Sequence, residues 1–219
     1  ALVRWLHEQK GWISPGQFIP ALEKGGYISQ LDRYMIEKVT GCLNQRRTEE
    51  KRFVPVSVNL SWMDFYDENM LEWIVRGLKK NNQNEQKIRF EITETSLAAI
   101  GENHTRMLTH LKENGAEILL DDFGSGYSSF GMLQDYDFDI LKMDISFVRN
   151  IGVNKKSESI LRAIIDMAHQ LEIRLVAEGA ETEEQVAFLR ENGCDYIQGY
   201  YYYKPMPEKE FLQLLDEGK

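Results

Sequence analysis

Six short β-rich runs recur along the chain, and each closes on a polar residue. Val56-Ser57-Val58-Asn59 closes on an amide and Arg89-Phe90-Glu91 on a carboxylate. Leu119-Leu120-Asp121-Asp122 closes on two carboxylates and Ile140-Leu141-Lys142 on an amine. Val176-Ala177-Glu178 closes on a carboxylate and Tyr196-Ile197-Gln198 on an amide. The runs predict strands over 53–60, 88–92, 118–121, 140–143, 175–177 and 196–198. Segments of helical period separate them, over 28–46, 63–80, 102–114, 128–134, 158–171 and 183–192. Gly115 and Gly193 follow their helices as stop signals, and Thr182 before Glu183, Glu184 and Gln185 reads as an N-cap with an acidic first turn. Residues 81–87 are polar enough for a loop, and no Pro/Gly/Ser linker divides the chain. Strand and helix alternating without interruption require a parallel sheet covered by helices, here a single domain over 1–219.

An open doubly wound sheet shares that alternation with a closed β/α barrel. The barrel is favoured because catalytic groups in a barrel come from the carboxyl ends of several strands, and here six strands each deliver a polar group there. Residues 1–5 (Ala1-Leu2-Val3-Arg4-Trp5) predict a seventh strand, and an eighth is expected upstream in a longer protein. With 219 residues, 42% of them apolar, the chain has enough material for a core without a disulfide or zinc staple. Cys42 and Cys194 have no metal-ligand spacing and fit a reducing compartment. The formal charge of −9 has the wrong sign for a DNA or RNA binder. No apolar run approaches a membrane span and no signal peptide opens the chain. The expected setting is therefore the cytoplasm, without membrane contact by this domain itself.

Asn59, Glu91, Asp121, Asp122 and Glu178 offer only hard oxygen donors, which suit Mg²⁺ or Mn²⁺ rather than zinc or copper. Carboxylates crowded without a cation would resist ionising together. A two-metal site would activate water and stabilise both oxygens of an in-line phosphoryl displacement. Lys142 among them would orient the water or meet phosphate charge. Any one of these residues alone reads as an ordinary surface group; six at matching strand ends do not. Beyond Asp121-Asp122, the glycines of Phe123-Gly124-Ser125-Gly126-Tyr127-Ser128-Ser129 let the backbone turn sharply.

With these segments in view, the chain resembles the EAL domain family, cyclic di-GMP phosphodiesterases of bacterial signalling. The likeness rests on Ala1 to Trp5 with Phe18-Ile19-Pro20, Ser57-Val58-Asn59-Leu60-Ser61, Phe90-Glu91-Ile92-Thr93-Glu94, and Asp121 to Ser129. It continues through Leu141-Lys142-Met143-Asp144, Ala177-Glu178-Gly179-Ala180-Glu181-Thr182, and Gln198-Gly199-Tyr200 with Lys204-Pro205. The resemblance implies a TIM-like β/α barrel with one antiparallel strand near the N-terminus. It also implies hydrolysis of one phosphodiester of cyclic di-GMP to linear 5′-pGpG, with two Mg²⁺ or Mn²⁺ ions. Asn59, Glu91, Asp121 and Glu178 are implied metal ligands, with Asp122 serving the second metal and the substrate. Lys142 is implied to orient or deprotonate water, and Gln198 to complete the shell. Leu2, Arg4, Glu181 and Pro205 are implied on the substrate, Arg4 at a phosphate and Glu181 at a guanine edge. Glu94 is implied to anchor the loop after Asp122. A homodimer through 128–136 and 158–171, and an upstream sensor or GGDEF domain, are implied partners. The chain opens at the Ala of the Glu-Ala-Leu signature, and the Glu is expected in the parent protein. The alternative from another class is a catalytically silent module that binds cyclic di-GMP or a protein partner and relays a signal.

Other residues read as packing or solvated surface. His7, His104, His110 and His169 show no ligand spacing. Tyr200 to Tyr203 read as core and rim packing, Arg46-Arg47 with Lys51-Arg52 as a solvated loop, and Cys194 as buried packing without a His partner.

Overall fold

The computed structural model describes residues 1–81, 88–100, 105–124 and 129–218. The class is α/β, as expected. A parallel sheet contains β3 (Val56–Asn59), β4 (Ile88–Thr93), β5 (Glu117–Phe123), β6 (Ile140–Met143), β7 (Arg174–Glu178) and β8 (Tyr196–Gln198), ordered consecutively. Consecutive parallel order requires a crossover after every strand, and the intervening helices provide it. A separate two-stranded sheet pairs β1 (Trp5–His7) antiparallel with β2 (Gly11–Ile13).

The chain divides into two compact units. One comprises Ala1–Glu91, Ala99–Ala116 and Met206–Lys219; the other comprises Ile92–Ala98 and Glu117–Pro205. β4 contributes to both. In the first unit, β3 and β4 pair in register from Val56 opposite Ile88 to Asn59 opposite Glu91. The helix α1 (Pro15–Gly25) precedes α2 (Ile28–Thr48), which buries Ile28, Asp32, Ile36, Val39, Leu43 and Arg46. That spacing of three and four is one helical stripe, and two of its six members are ionisable. Arg46 therefore overturns the expected solvated loop. The residue is 5% exposed, and its guanidinium donates from Nε to Arg52 O at 2.7 Å and pairs with Asp216.

Two further expectations are corrected. Residues 1–4 are not strand; only Trp5–His7 is, and its partner is Gly11–Ile13 rather than the parallel sheet. The backbone nitrogen of Ala1 instead donates to Ser57 O. The helix expected over 63–80 is broken: a 3₁₀ turn (Trp62–Tyr66) precedes α3 (Glu68–Asn81). Ser61 caps that turn in a reciprocal box with Asp64, and Asp67 is extended at φ −105°, ψ 96°, which ends it.

In the second unit, α4 (Glu94–Ile100) begins directly after β4. The unit continues through α6 (Ser129–Asp135), α7 (Ile145–Arg149), α8 (Lys155–Gln170) and α9 (Glu183–Glu191) around the strands β5 to β8. Ile118, Leu120, Ile140, Leu141, Met143, Leu175 and Ala177 are fully buried, the near-continuous apolar composition of strands covered on both faces. Thr182 caps α9 with Gln185 as its reciprocal partner, and Gly115 and Gly193 adopt positive φ after their helices, as expected. The first unit also holds α5 (Thr105–Glu113) and the C-terminal α10 (Glu208–Asp216). Residues 82–87, the 102–104 start of an expected helix with His104, and 125–128 of the loop after Asp122 lie outside the described residues.

Candidate active site

Leu119, Ile140 and Val176 form a buried apolar layer across β5, β6 and β7. Two residues further along each strand, on the same face by the period of two, stand Asp121, Lys142 and Glu178. A polar layer thus caps an apolar one at the carboxyl ends of three strands. Lys142 Nζ lies 3.0 Å from Asp121 Oδ1 and 2.7 Å from Glu178 Oε1, and the lysine is 5% exposed. Burying an ammonium this deeply requires both carboxylates, and removing any partner would leave a poorly compensated charge.

A bulge aims the two aspartates. Leu120 pairs with Leu141 and Phe123 with Met143, so Asp121 and Asp122 together oppose the single residue Lys142. Asp122 takes the left-handed conformation at φ 57°, its N–H donating to Asp121 Oδ1 at 2.9 Å. A non-glycine residue there is strained, and such strain gathers at functional sites. Glu178 is in register with Gln198 at the end of β8. The turn after Glu178 passes so close to α7 that a Cβ on Gly179, already at φ +79°, would lie 2.1 Å from Ile145 Cγ1.

In the first unit, Asn59 and Glu91 end the β3–β4 ladder as register partners, and Leu60 N–H extends it to Glu91 O at 2.9 Å. Partners in register share a face, so the amide and the carboxylate are presented together. Glu94 opens α4 at 4% exposure; the loop it was expected to anchor lies at 125–128, outside the described residues. Leu2 and Arg4 are exposed ahead of β1, with Arg4 Nη1 donating to Val3 O at 2.8 Å. Glu181 is exposed beside the α9 cap, its N–H donating to Gln185 Oε1 at 2.7 Å, and Pro205 is exposed. Among the described residues, no three His, Cys, Asp or Glu side chains gather at metal-holding spacing. The donors at the strand ends are amide and carboxylate oxygens, and the carboxylates of Asp121 and Glu178 already converge on one cationic group. That chemistry fits a hard divalent cation.

Elsewhere the structure corrects or completes the reading of single residues. Tyr200, Tyr201, Tyr202 and Tyr203 are exposed rather than packed in the core; Tyr202 Oη accepts from Arg190 at 3.0 Å and Lys204 lies over the Tyr200 ring. His7 Nδ1 accepts the N–H groups of Gln9 and Lys10, which closes the β1–β2 turn. Burial pushes the Cys194 thiol up to about 11, against two backbone hydrogen bonds that lower it, which keeps it protonated at neutral pH. Asp32 and Asp64 are buried carboxyls that the strand-end pattern passed over. Ser61 followed three residues later by Asp64 was their one visible signal.

Fold and site together define a β/α scaffold with its polar groups on strand ends. Residues 1–205 match the EAL domain family, and the chain belongs to it. It is 34% identical over 216 residues to the cyclic di-GMP phosphodiesterase NbdA of Pseudomonas aeruginosa, covering 97% of this chain and 28% of that protein. It is 32% identical over 214 residues to the probable cyclic di-GMP phosphodiesterase PdeG of Escherichia coli, covering 98% of this chain and 42% of that one. The chain thus spans well under half of either relative. Among solved structures, the phosphodiesterase PaMucR in complex with c-di-GMP superposes with a TM-score of 0.86 at 30% identity, covering 96% of this chain and 85% of that one. This likeness establishes the TIM-like EAL fold.

Proposed function

We propose that this chain hydrolyses cyclic di-GMP to linear 5′-pGpG. The observation that carries the reading is Lys142 held between Asp121 and Glu178 at three strand ends. The names borne by NbdA and PdeG, and the ligand in the PaMucR complex, supply the substrate class. Asn59, Glu91, Asp121, Asp122 and Glu178 would hold two Mg²⁺ or Mn²⁺ ions. When bound, these ions supply Lewis-acid stabilisation of the phosphoryl oxygens and lower the pKa of water.

The protein's own groups do the rest. Lys142, fixed by two carboxylates, orients the attacking water by a hydrogen bond, and Gln198 holds that water from the neighbouring strand. The water oxygen forms a bond to phosphorus, the bond from phosphorus to the 3′-oxygen breaks, and the leaving oxygen gains a proton. The products are a free 3′-hydroxyl and a retained 5′-phosphate. Leu2 and Arg4 bind the substrate, with Arg4 at a phosphate. Glu181 accepts from a guanine edge, Pro205 packs on the ligand, and Glu94 supports the loop after Asp122. A homodimer through 128–136 and α8, an upstream sensor or GGDEF domain in the parent protein, and a cytoplasmic site of action belong to the same proposal. Among the described residues, no helix is long and apolar enough to cross a membrane.

Chromatography of cyclic di-GMP incubated with the chain and Mg²⁺ or Mn²⁺ tests the reading. A single product, linear 5′-pGpG, is expected. Ligand that is bound but never cleaved would establish the silent signalling module instead.

A further inference from the structure

On its buried stripe α2 carries a carboxyl, Asp32, one turn from Ile28 and one from Ile36. The 3₁₀ turn that follows β3 carries another, Asp64, with no exposed surface. Both accept from one donor. Ser61 N–H lies 2.9 Å from Asp64 Oδ2 and 3.2 Å from Asp32 Oδ2. Two carboxyl oxygens that converge on one hydrogen stand side by side in the interior, where two charges so close would resist ionising together. A hydrogen bond between two carboxyl groups exists only if one of them is protonated. The charged groups that face the pair make the demand stronger: Glu23 of α1 faces Asp32 and Asp67 faces Asp64, and both are acidic. The neutral groups facing it are the Ser61 amide and the Ser29 hydroxyl of α2.

We propose that Asp32 and Asp64 hold a single proton between them, and that this proton fastens α2 to the carboxyl end of β3, two residues beyond Asn59. Burial, then the charge of Asp64, push Asp32 up to about 9, while burial raises Asp64 as well. An unfolded aspartate loses its proton near pH ~3.9. Between that pH and about 9 the folded chain binds one proton more than the unfolded chain. The sign follows: the stabilisation is fully present below the unfolded value and is lost as pH rises toward the folded value. The unfolding constant rises about tenfold per pH unit across that window. Nothing in this latch depends on metal, substrate or turnover, so it stands or falls apart from the phosphodiesterase reading.

The experiment is urea unfolding of the full chain at several pH values between about 5 and 8.5, set against Asp32→Asn. Asparagine keeps an acceptor for Ser61 N–H and a donor for Asp64, without the titrating proton. The expected result is that the logarithm of the unfolding constant climbs about one unit per pH unit faster in the wild type than in D32N. An infrared carbonyl band of a protonated carboxyl at neutral pH should also vanish in D32N. Parallel unfolding curves with no band lost would overturn the proposal. Should D32N not fold, D64N is read in its place: removal of the neighbouring charge should shrink the slope, and an unchanged slope overturns the proposal.

Discussion

Lys142 and Glu178 are joined at 2.7 Å across adjacent strands because Glu178 lies two residues beyond Val176, the register partner of Lys142. The contact is set by strand register rather than by loop conformation. A site built on strands is more rigid than one built on loops, and that rigidity is what a water-orienting group requires. The apolar layer of Leu119, Ile140 and Val176 beneath it excludes water from one side.

Replacing Lys142 should therefore act on chemistry. Lys142→Ala is expected to lower kcat by ~10²–10⁴-fold while the Kd for cyclic di-GMP changes little, since the role proposed for it begins with the attacking water. Steady-state kinetics with a parallel binding titration check this. Near-normal turnover would remove Lys142 from the mechanism.

The oxygen donors make a second expectation. Chelation with EDTA should abolish turnover, and Mg²⁺ or Mn²⁺ should restore it. Asp121→Asn should need a higher metal concentration for half-maximal rate and should also show a weakened thermal shift on metal addition. Full activity in EDTA would eliminate the metal reading.

Much of this was legible in sequence, and the reason is physical. A strand covered on both faces must be apolar, so a polar residue at its end is conspicuous: Asn59, Glu91, Asp121, Lys142, Glu178 and Gln198 each stood out against a Val/Ile/Leu run. What failed to show were residues whose role depends on distant partners. Arg46 sits among polar neighbours in sequence, and only the approach of Asp216, 170 positions away, makes it interior. Tyr200 to Tyr203 read as packing because composition does not report which side of a chain faces solvent. The break at Asp67 was hidden because a 3₁₀ turn and an α-helix share nearly the same apolar spacing over one turn.

Arg46 gives a stability prediction. Arg46→Ala strips Arg52 O and Asp216 of their donor and leaves a void in the α2 stripe. The expected cost is about 1.5–3 kcal/mol in urea unfolding, the range for hydrogen bonds to charged groups. A variant as stable as the wild type would mean that the pair contributes nothing.

Gly179 is the backbone counterpart. Gly179→Ala forces a positive φ on an L-residue and drives a methyl into Ile145. A loss of about 2–4 kcal/mol is expected from those two terms together. Differential scanning calorimetry reads it as a lower Tm, and an unchanged Tm would show that α7 yields freely.

The Cys194 thiol, raised to about 11 by burial, should stay protonated at pH values where an ordinary thiol, near ~8.5, ionises. Iodoacetamide at mildly alkaline pH should label Cys194 only after the chain is unfolded, as peptide mass spectrometry would show. Rapid labelling of the folded chain would contradict the raised thiol of this half-buried cysteine.

Turnover in ¹⁸O-labelled water tests the central claim most directly. With cyclic di-GMP and Mn²⁺, the account predicts linear 5′-pGpG carrying one ¹⁸O in its 5′-phosphate and none at the 3′-hydroxyl, because water attacks phosphorus and the 3′-oxygen departs. Cyclic di-GMP recovered intact from the saturated protein, or ¹⁸O found at the 3′-hydroxyl, would contradict it.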